Sequence, residues 1–235
     1  MKPASVNRKL EALRRFCRWA HAASKLRTNV AAGLKLTVVP RGTRPKGLLA
    51  PEVQALLRAA GQSRRALAQR NYAIVQILLQ AGLRVSEAAA VRIEDLEIRE
   101  RQGKVHIRGK GNKERSVPLN TTARRALQTY LHERKEIGTR GPVFLSDTGA
   151  ALSVRSIQSL ISNLARRAHI TRITVSAHTL RHTFAHAYLK QNPGKLVELA
   201  TLLGHESLDT TAIYLLPSDE DLAADVERSS YNVDV

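Results

Sequence analysis

The sequence has little cysteine, few aromatic residues and no long apolar run, and each shortage excludes a class of protein. The single cysteine, Cys17, cannot form an internal disulfide bond, which favours a reducing compartment. Three Phe, one Trp and five Tyr are too few for a protein that stacks single-stranded nucleic acid on aromatic platforms. The amino terminus lacks the apolar core of a signal peptide, and no run is long enough to span a membrane. We therefore expect a cytoplasmic protein that has no membrane partner.

Acidic residues are also scarce. The 235 residues include 38 Lys and Arg against 20 Asp and Glu, a net charge of +18. So large a surplus favours a polyanionic partner over a small acidic substrate. The charge is uneven, because residues 1–48 contain one acid, Glu11, whereas residues 215–235 contain one base, Arg228. This pattern predicts a basic arm that binds nucleic acid and an acidic tail that docks on protein.

The basic arm is predicted to be one amphipathic helix. Between residues 6 and 24, apolar side chains recur at steps of four and three residues, as helical periodicity requires. Arg14, Arg15 and Arg18 lie on other faces, where they either contact DNA phosphates or form a solvated charged surface. Both interpretations fit the helix taken by itself.

Four segments follow from composition and periodicity. Residues 1–37 are predicted to be a helical arm, and residues 38–48, which contain two prolines and two glycines, an extended linker. Residues 49–214 form the main domain, with enough apolar content for a core. Residues 215–235 form a tail with one helix.

The main domain is predicted to be mainly α with a small antiparallel β-sheet. Strands are expected at residues 104–108 and 114–119, with a tight glycine-containing reversal between them. Lys110 lies at the tip of this hairpin, with Lys113 beside it. Helices are expected around residues 121–136, 153–167, 178–190 and 195–203.

Arg84 is predicted to lie in a tight corner between two helices. Residues 71–81 are apolar almost all round the helix, which indicates a central core element that ends at Gly82. Ser86 is expected to cap the next helix, with Glu87 in its first turn. Arg84 would then be fixed between the two helices.

A phosphate-handling surface is predicted on one helix. His178, Arg181 and His182 are spaced i, i+3 and i+4, so they share a face. Arginine forks match phosphate oxygens and stabilise the extra charge of a pentacoordinate phosphorus. Arg84 and Arg181 are therefore the predicted clamp, with Glu87 and His182 as supporting residues.

Tyr214 is the predicted nucleophile among five tyrosines. Tyr72 and Tyr130 lie in apolar helices and read as core residues, while Tyr231 lies in a tail with no anchoring pattern. Tyr188 is seven residues from Arg181, about 10 Å along a helix and too far to attack the same phosphate.

A tyrosine hydroxyl has a pKa of about 10, so it needs a neighbour that accepts its proton during attack. His178 is the candidate acceptor. Lys110 can protonate the leaving oxygen, although a plain DNA-backbone contact fits it too, and Lys113 is its rival. His205 either donates to a non-bridging phosphate oxygen or satisfies backbone groups at a helix end.

In order and spacing, these residues resemble the tyrosine recombinases, or phage integrase family, across roughly residues 5–216. Residues 81–87 (Ala-Gly-Leu-Arg-Val-Ser-Glu) are similar to the family's first arginine motif. Residues 107–115 are similar to its lysine hairpin, and residues 178–182 (His-Thr-Leu-Arg-His) to its central box. The Gly-His pair at 204–205, followed by Tyr214, is similar to its final box.

The resemblance implies DNA strand cleavage and rejoining without a metal or other cofactor. The implied catalytic residues are Arg84, Lys110, His178, Arg181, His205 and Tyr214. It also implies a tetramer on two DNA sites, with a C-terminal segment passed to a neighbouring protomer. The sequence departs from the family in having Ala177 and Leu216 at positions where proline and histidine are common, and in retaining only the last basic helix of the family's N-terminal bundle.

Three other functions are alternatives to recombination. A zinc hydrolase would use the histidines at 178, 182 and 186, but the glutamate base expected between two such ligands is missing and Arg181 would repel the metal. A DNA-binding module derived from a recombinase, without strand exchange, needs fewer of these polar residues. Topoisomerase-like relaxation shares the chemistry but needs no second duplex.

Overall fold

The computed structural model describes residues 3–38, 45–62, 65–109, 114–134, 140–217 and 219–229. In these ranges the chain is mainly helical with one three-stranded antiparallel sheet, which confirms the predicted fold class. None of the helices in the described ranges is long and apolar enough to cross a membrane. The elements in chain order are α1 (Pro3–Ala22), α2 (Ala50–Gly61), α3 (Arg65–Ala81), α4 (Val85–Ala90), β1 (Leu96–Ile98), β2 (Gly103–Arg108), β3 (Glu114–Pro118), α5 (Thr121–Glu133), α6 (Val154–Arg167), α7 (Ala177–Gln191), α8 (Leu196–Leu203), α9 (Asp209–Ala212) and α10 (Asp219–Arg228).

The chain forms two compact units, residues 1–43 and residues 44–235. In the first unit, α1 buries Cys17 and Ala20, and the amide side chain of Asn7 exchanges two hydrogen bonds with the backbone of Thr37. Arg15 and Arg18 are exposed on α1. Arg14, also on α1, is partly exposed and lies 3.6 Å from the carboxylate of Glu11. A DNA contact by these three arginines stays a prediction.

The second unit is built around α3. Its residues Ile74, Ile77 and Leu78 are fully buried, because apolar side chains occur on nearly every face of this helix. Helices α2, α5 and α7 pack against α3. The buried helix therefore holds α7, which carries the predicted phosphate-handling face, in a fixed position.

The sheet has the strand order β1, β2, β3, with every pair antiparallel. Val105 on β2 pairs with Val117 on β3, and both are buried against the helical core. Strand β1 was not anticipated, since only three residues form it. The hairpin tip that carries Lys110 and Lys113 lies outside the described residues.

The corner after α3 depends on Gly82. Its φ is +60°, and a Cβ at this position would lie 2.3 Å from Cδ1 of Phe184 on α7. Glycine is the residue that adopts this conformation without strain and also leaves room for the ring. The chain then enters α4 one residue before the predicted cap. Arg84, rather than Ser86, is the N-cap, and its backbone N–H donates to the Glu87 carboxylate over 2.7 Å.

We predict that Gly82→Ala lowers the free energy of unfolding by about 2–4 kcal/mol, because left-handed strain adds to a clash with Phe184. Gly194→Ala is the matched control. It has φ +80° with no heavy atom within 4 Å of the added Cβ, and should cost only about 1 kcal/mol. Urea unfolding measures both values, and equal losses would contradict the proposed close packing at Gly82.

Candidate active site

Three arginines converge on the carboxyl end of α8. The last carbonyls of a helix lack partners within the helix and carry the negative end of its dipole, so cations bind there favourably. Each arginine donates to a different carbonyl oxygen. The bonds are Arg115 Nε to Leu202 at 3.0 Å, Arg181 Nη2 to Leu203 at 2.7 Å and Arg84 Nη2 to Gly204 at 2.8 Å.

Arg181 is the most enclosed of the three, with 2% of its surface exposed. Its Nη1 donates to the carbonyl of Gly82 over 2.7 Å, so one guanidinium joins the corner after α3 to the end of α8. Burial, and to a lesser degree the charge of Arg84, lowers the pKa of Arg181 to about 10. The side chain therefore stays cationic at neutral pH.

Arg84 is the more open clamp residue, with 42% of its side chain exposed. Its Nη1 donates to Oε1 of Glu87 over 2.9 Å, which orients the fork. Burial alone would raise the pKa of Glu87, but hydrogen bonds from Arg115 and Arg84 outweigh it and hold that pKa below its usual value. Glu87 is thus an ionised carboxylate between two guanidinium groups.

The structure brings Arg84 and Arg181 together at one turn, as the clamp hypothesis requires. They bind the carbonyls of two consecutive residues, Leu203 and Gly204. Gly204 ends α8 with φ +62°, and this turn leads the chain towards His205 and Tyr214. A phosphate at the turn would contact the exposed guanidinium of Arg84 and lie near the buried guanidinium of Arg181.

The hydroxyl of Tyr214 contacts His182, whereas the sequence pointed to His178 as its partner. Oη of Tyr214 and Nδ1 of His182 are 2.8 Å apart. His178 lies one turn earlier on α7, with its ring centroid 4.3 Å from that of His182, and is exposed to solvent. Tyr214, 4% exposed, packs with Ala185 in a small apolar cluster, so its hydroxyl lies beside His182 rather than His178. That His178 accepts the proton stays a prediction.

Three histidines near this cluster, His178, His182 and His205, have a pKa below the usual 6.5, which favours the neutral imidazole at pH 7. Burial and the neighbouring histidines lower the pKa of His182 to about 4. Burial and the charges of Arg181 and Arg84 lower that of His205 to about 4 and also lower that of His178. Neutral imidazoles can accept a proton, and burial raises the pKa of Tyr214 so that its hydroxyl keeps one.

His205 is held from the same turn. Its Nδ1 shares a hydrogen bond of 2.7 Å with Oγ1 of Thr211, which is fully buried. The side chain therefore ties the turn after α8 to α9, which immediately precedes Tyr214.

Other candidates have structural partners. The hydroxyl of Tyr130 accepts from the backbone of Leu145, and that of Tyr72 accepts from Gln76. Nε2 of His186 lies 2.6 Å from the carbonyl of Pro45, whereas Nδ1 of His182 faces Tyr214. His182 and His186 are thus directed to different partners.

Arg115 is the site residue that our sequence reasoning missed. It binds both oxygens of Glu87 at 2.8 Å in addition to the carbonyl of Leu202. The signal was available, because strict strand alternation places Arg115 on the same face as buried Val117. A cation on the inner face of a strand indicates a buried partner.

Comparisons with known proteins agree with this geometry. Residues 46–221 match the model of the phage integrase family. Tyrosine recombinase XerC of Oceanobacillus iheyensis is 35% identical over 217 residues, covering 89% of this chain and 69% of the relative.

Solved structures share the fold. The XerA recombinase superimposes with a TM-score of 0.66 at 28% identity, covering 95% of this chain and 74% of that one. The Tn1549 transposon integrase, solved in complex with circular intermediate DNA, gives 0.71 at 19% identity, covering 98% and 81%. With the match over most of its length and the arginine, histidine and tyrosine motifs in place, this chain belongs to the phage integrase family of tyrosine-type site-specific recombinases.

Proposed function

We propose that this chain cleaves and rejoins strands of double-stranded DNA through a covalent bond between Tyr214 and a 3′ phosphate. The proposal rests on one observation. Arg84 and Arg181 donate to the carbonyls of two consecutive residues, in the turn that leads to Tyr214. Two guanidinium groups fixed in this way supply positive charge where a pentacoordinate phosphorus develops negative charge. The transposon integrase that shares this fold was itself solved with DNA.

In the cleavage step, the oxygen of Tyr214 attacks the scissile phosphorus and its proton passes to a neutral imidazole. The bond from phosphorus to the 5′ oxygen breaks, and Lys110 gives that oxygen a proton. The energy of the phosphodiester is kept in the phosphotyrosyl bond, so a 5′ hydroxyl can reverse the step on the same or another strand. No metal or cofactor takes part in this scheme, and Lys110 lies outside the described residues.

The contact of 2.8 Å between Oη of Tyr214 and Nδ1 of His182 supports His182, in place of His178, as the first proton acceptor in this proposal. His178, exposed at the start of α7, then faces the phosphate oxygens together with Arg84. His205 donates a further hydrogen bond to a non-bridging oxygen. Because Tyr214 is 4% exposed, the segment after Gly204 has to move when DNA binds, so that the hydroxyl reaches the phosphorus.

DNA binding is shared between the site and the basic surfaces. We assign Arg14, Arg15 and Arg18 on α1, together with Lys113 in the hairpin, to the DNA backbone. Backbone contacts by lysine and arginine release counterions and give affinity without sequence specificity. With one cysteine, the chain suits the cytoplasm, where DNA is accessible.

The protein assembles on DNA, most simply as a tetramer, through exchange of the tail helix α10. Leu222 and Val226 lie one turn apart on α10 and are 49% and 71% exposed. A groove of about 670 Å³ lies between α3, α7 and α8, with Leu79, Phe184 and Val197 among its apolar walls. The two exposed side chains of one protomer fit this groove on a second protomer.

Tyr214→Phe should abolish covalent capture of a nicked suicide duplex and leave DNA affinity nearly unchanged, because only one buried hydroxyl is removed. Denaturing gels measure capture, and mobility shifts measure affinity. Tyr188→Phe is the matched control, since Tyr188 belongs to the same cluster, and it should still be captured. If Tyr214→Phe becomes linked to DNA, the nucleophile is another residue. If the unmodified chain binds the duplex and is never captured, the chain acts as a binding module.

The neutral histidines predict a pH-dependent stability. The folded pKa of about 4 for His182 and for His205 is below the usual 6.5, so the unfolded chain binds more protons in between. The free energy of unfolding should therefore fall as pH falls from about 6.5 to about 5, where carboxylates stay ionised. Urea unfolding of the chain and of the double variant His182→Asn/His205→Asn measures this. A flat profile for the unmodified chain, or an equal slope in the variant, would contradict the assigned pKa values.

Tail exchange predicts a specific cross-link. In a Cys17→Ala background, Val226→Cys on α10 and Val197→Cys in the groove should form a disulfide between protomers when DNA is added. Ser162→Cys replaces the groove cysteine in the control, because Ser162 lines a separate groove. Equal cross-linking of the two pairs, or linkage within one protomer, would contradict exchange between neighbours.

A further inference from the structure

Arg115 makes more defined contacts around the site than a surface arginine would. It follows the hairpin loop at the start of β3, and 14% of its side chain is exposed. Its Nη1 and Nη2 donate to the two oxygens of Glu87, both over 2.8 Å, and its Nε donates to the carbonyl of Leu202 over 3.0 Å. A bidentate fork of this kind fixes the rotation of the carboxylate as well as its position.

The guanidinium also lies against the turn that ends α8. A Cβ added to Gly204 would be 2.7 Å from Nη1 and 2.9 Å from Cζ of Arg115. Gly204 is thus the residue that allows Arg115 to approach the turn, in addition to allowing φ +62°. Strand β3 is joined in this way to the backbone that accepts from Arg84.

The orientation of Arg84 depends on both partners of Arg115. Nη1 of Arg84 donates to Oε1 of Glu87, the same oxygen that Nη1 of Arg115 binds, and Nη2 of Arg84 donates to the carbonyl of Gly204. Without Arg115, Glu87 would lose two of its hydrogen bonds and the carbonyl of Leu202 its side-chain donor. The carboxylate would then be held only by the backbone N–H and Nη1 of Arg84 itself, so the fork of Arg84 would lose the support that β3 gives to its direction.

We propose that Arg115 is a positioning residue for the recombination reaction, which holds the guanidinium of Arg84 towards the scissile phosphate through Glu87 and the carboxyl end of α8. The proposal rests on the function proposed above. Lysine cannot replace Arg115, because an ammonium group does not form the bidentate pair. DNA affinity is not expected to depend on Arg115, since its donors are directed to the protein.

The test compares covalent capture on two suicide duplexes, one with the natural scissile phosphate and one with a neutral methylphosphonate at that position. A guanidinium that neutralises phosphate charge matters less when the charge is absent. Arg115→Met should slow capture on the phosphate roughly 10- to 100-fold, as expected for misplacement of a catalytic group, and slow capture on the methylphosphonate much less. Arg115→Lys and Arg84→Met should likewise lose much more capture rate on the phosphate duplex than on the methylphosphonate duplex.

Arg124→Met is the control for loss of a buried arginine. Arg124 is buried and binds the carbonyls of Leu119 and Glu100, without any hydrogen bond to the site. Its substitution should change the rate of capture on both duplexes by the same factor. A double-mutant cycle adds a second readout, because the effects of Arg115→Met and Glu87→Gln on the phosphate rate should not multiply if both act through one carboxylate.

The outcomes separate the two proposals. Two results would show that Arg115 does not position Arg84. The first is a folded Arg115→Met or Arg115→Lys variant whose capture rate falls by equal factors on the phosphate and the methylphosphonate duplex. The second is a double variant with Glu87→Gln in which the two rate losses multiply. If the unmodified chain is never captured on the phosphate duplex, the proposed function itself fails. Retention of full phosphate activity in Arg115→Lys would also overturn the positioning role.

Discussion

The carboxyl end of α8 is the feature on which the rest of the site depends. A helix end offers carbonyl oxygens that need donors and carries the negative end of a dipole. Here three guanidinium groups, from β3, α7 and the corner after α3, supply those donors. Cations that would repel one another are held around one helix end because backbone oxygens and one carboxylate accept their N–H groups.

This arrangement links stability to chemistry. Arg181 is nearly inaccessible, and its charge is accommodated by two carbonyls rather than by a direct ion pair. A buried charge with incomplete neutralisation is costly, and under the proposed function a phosphate at the turn would offset that cost. Burial, together with the charges of Arg181 and Arg84, lowers the pKa of His178 and of His205. Under the proposed function, the arginines that bind the phosphate thus also help to keep these two bases neutral.

The sequence predicted the parts of the site that depend on local patterns. The face shared by His178, Arg181 and His182 follows from helical periodicity, and the corner at Gly82 follows from a buried helix that ends in glycine. The partner of Tyr214 and the role of Arg115 depend on which helical turn and which carbonyls meet in three dimensions, and periodicity carries no such information. The cap at Arg84 was missed for a related reason, since Glu87 reaches back to its backbone and starts the helix two residues earlier than a cap at Ser86 would.

A structure of the Tyr214→Phe variant bound to a duplex tests most directly whether the turn after α8 is a phosphate site. One backbone phosphate should have oxygens within about 3.2 Å of nitrogen atoms of both Arg84 and Arg181, with the ring at position 214 next to its phosphorus. Duplex DNA bound with every phosphate away from that turn, or with the two guanidinium groups still bonded only to protein, would contradict the central role given to the end of α8.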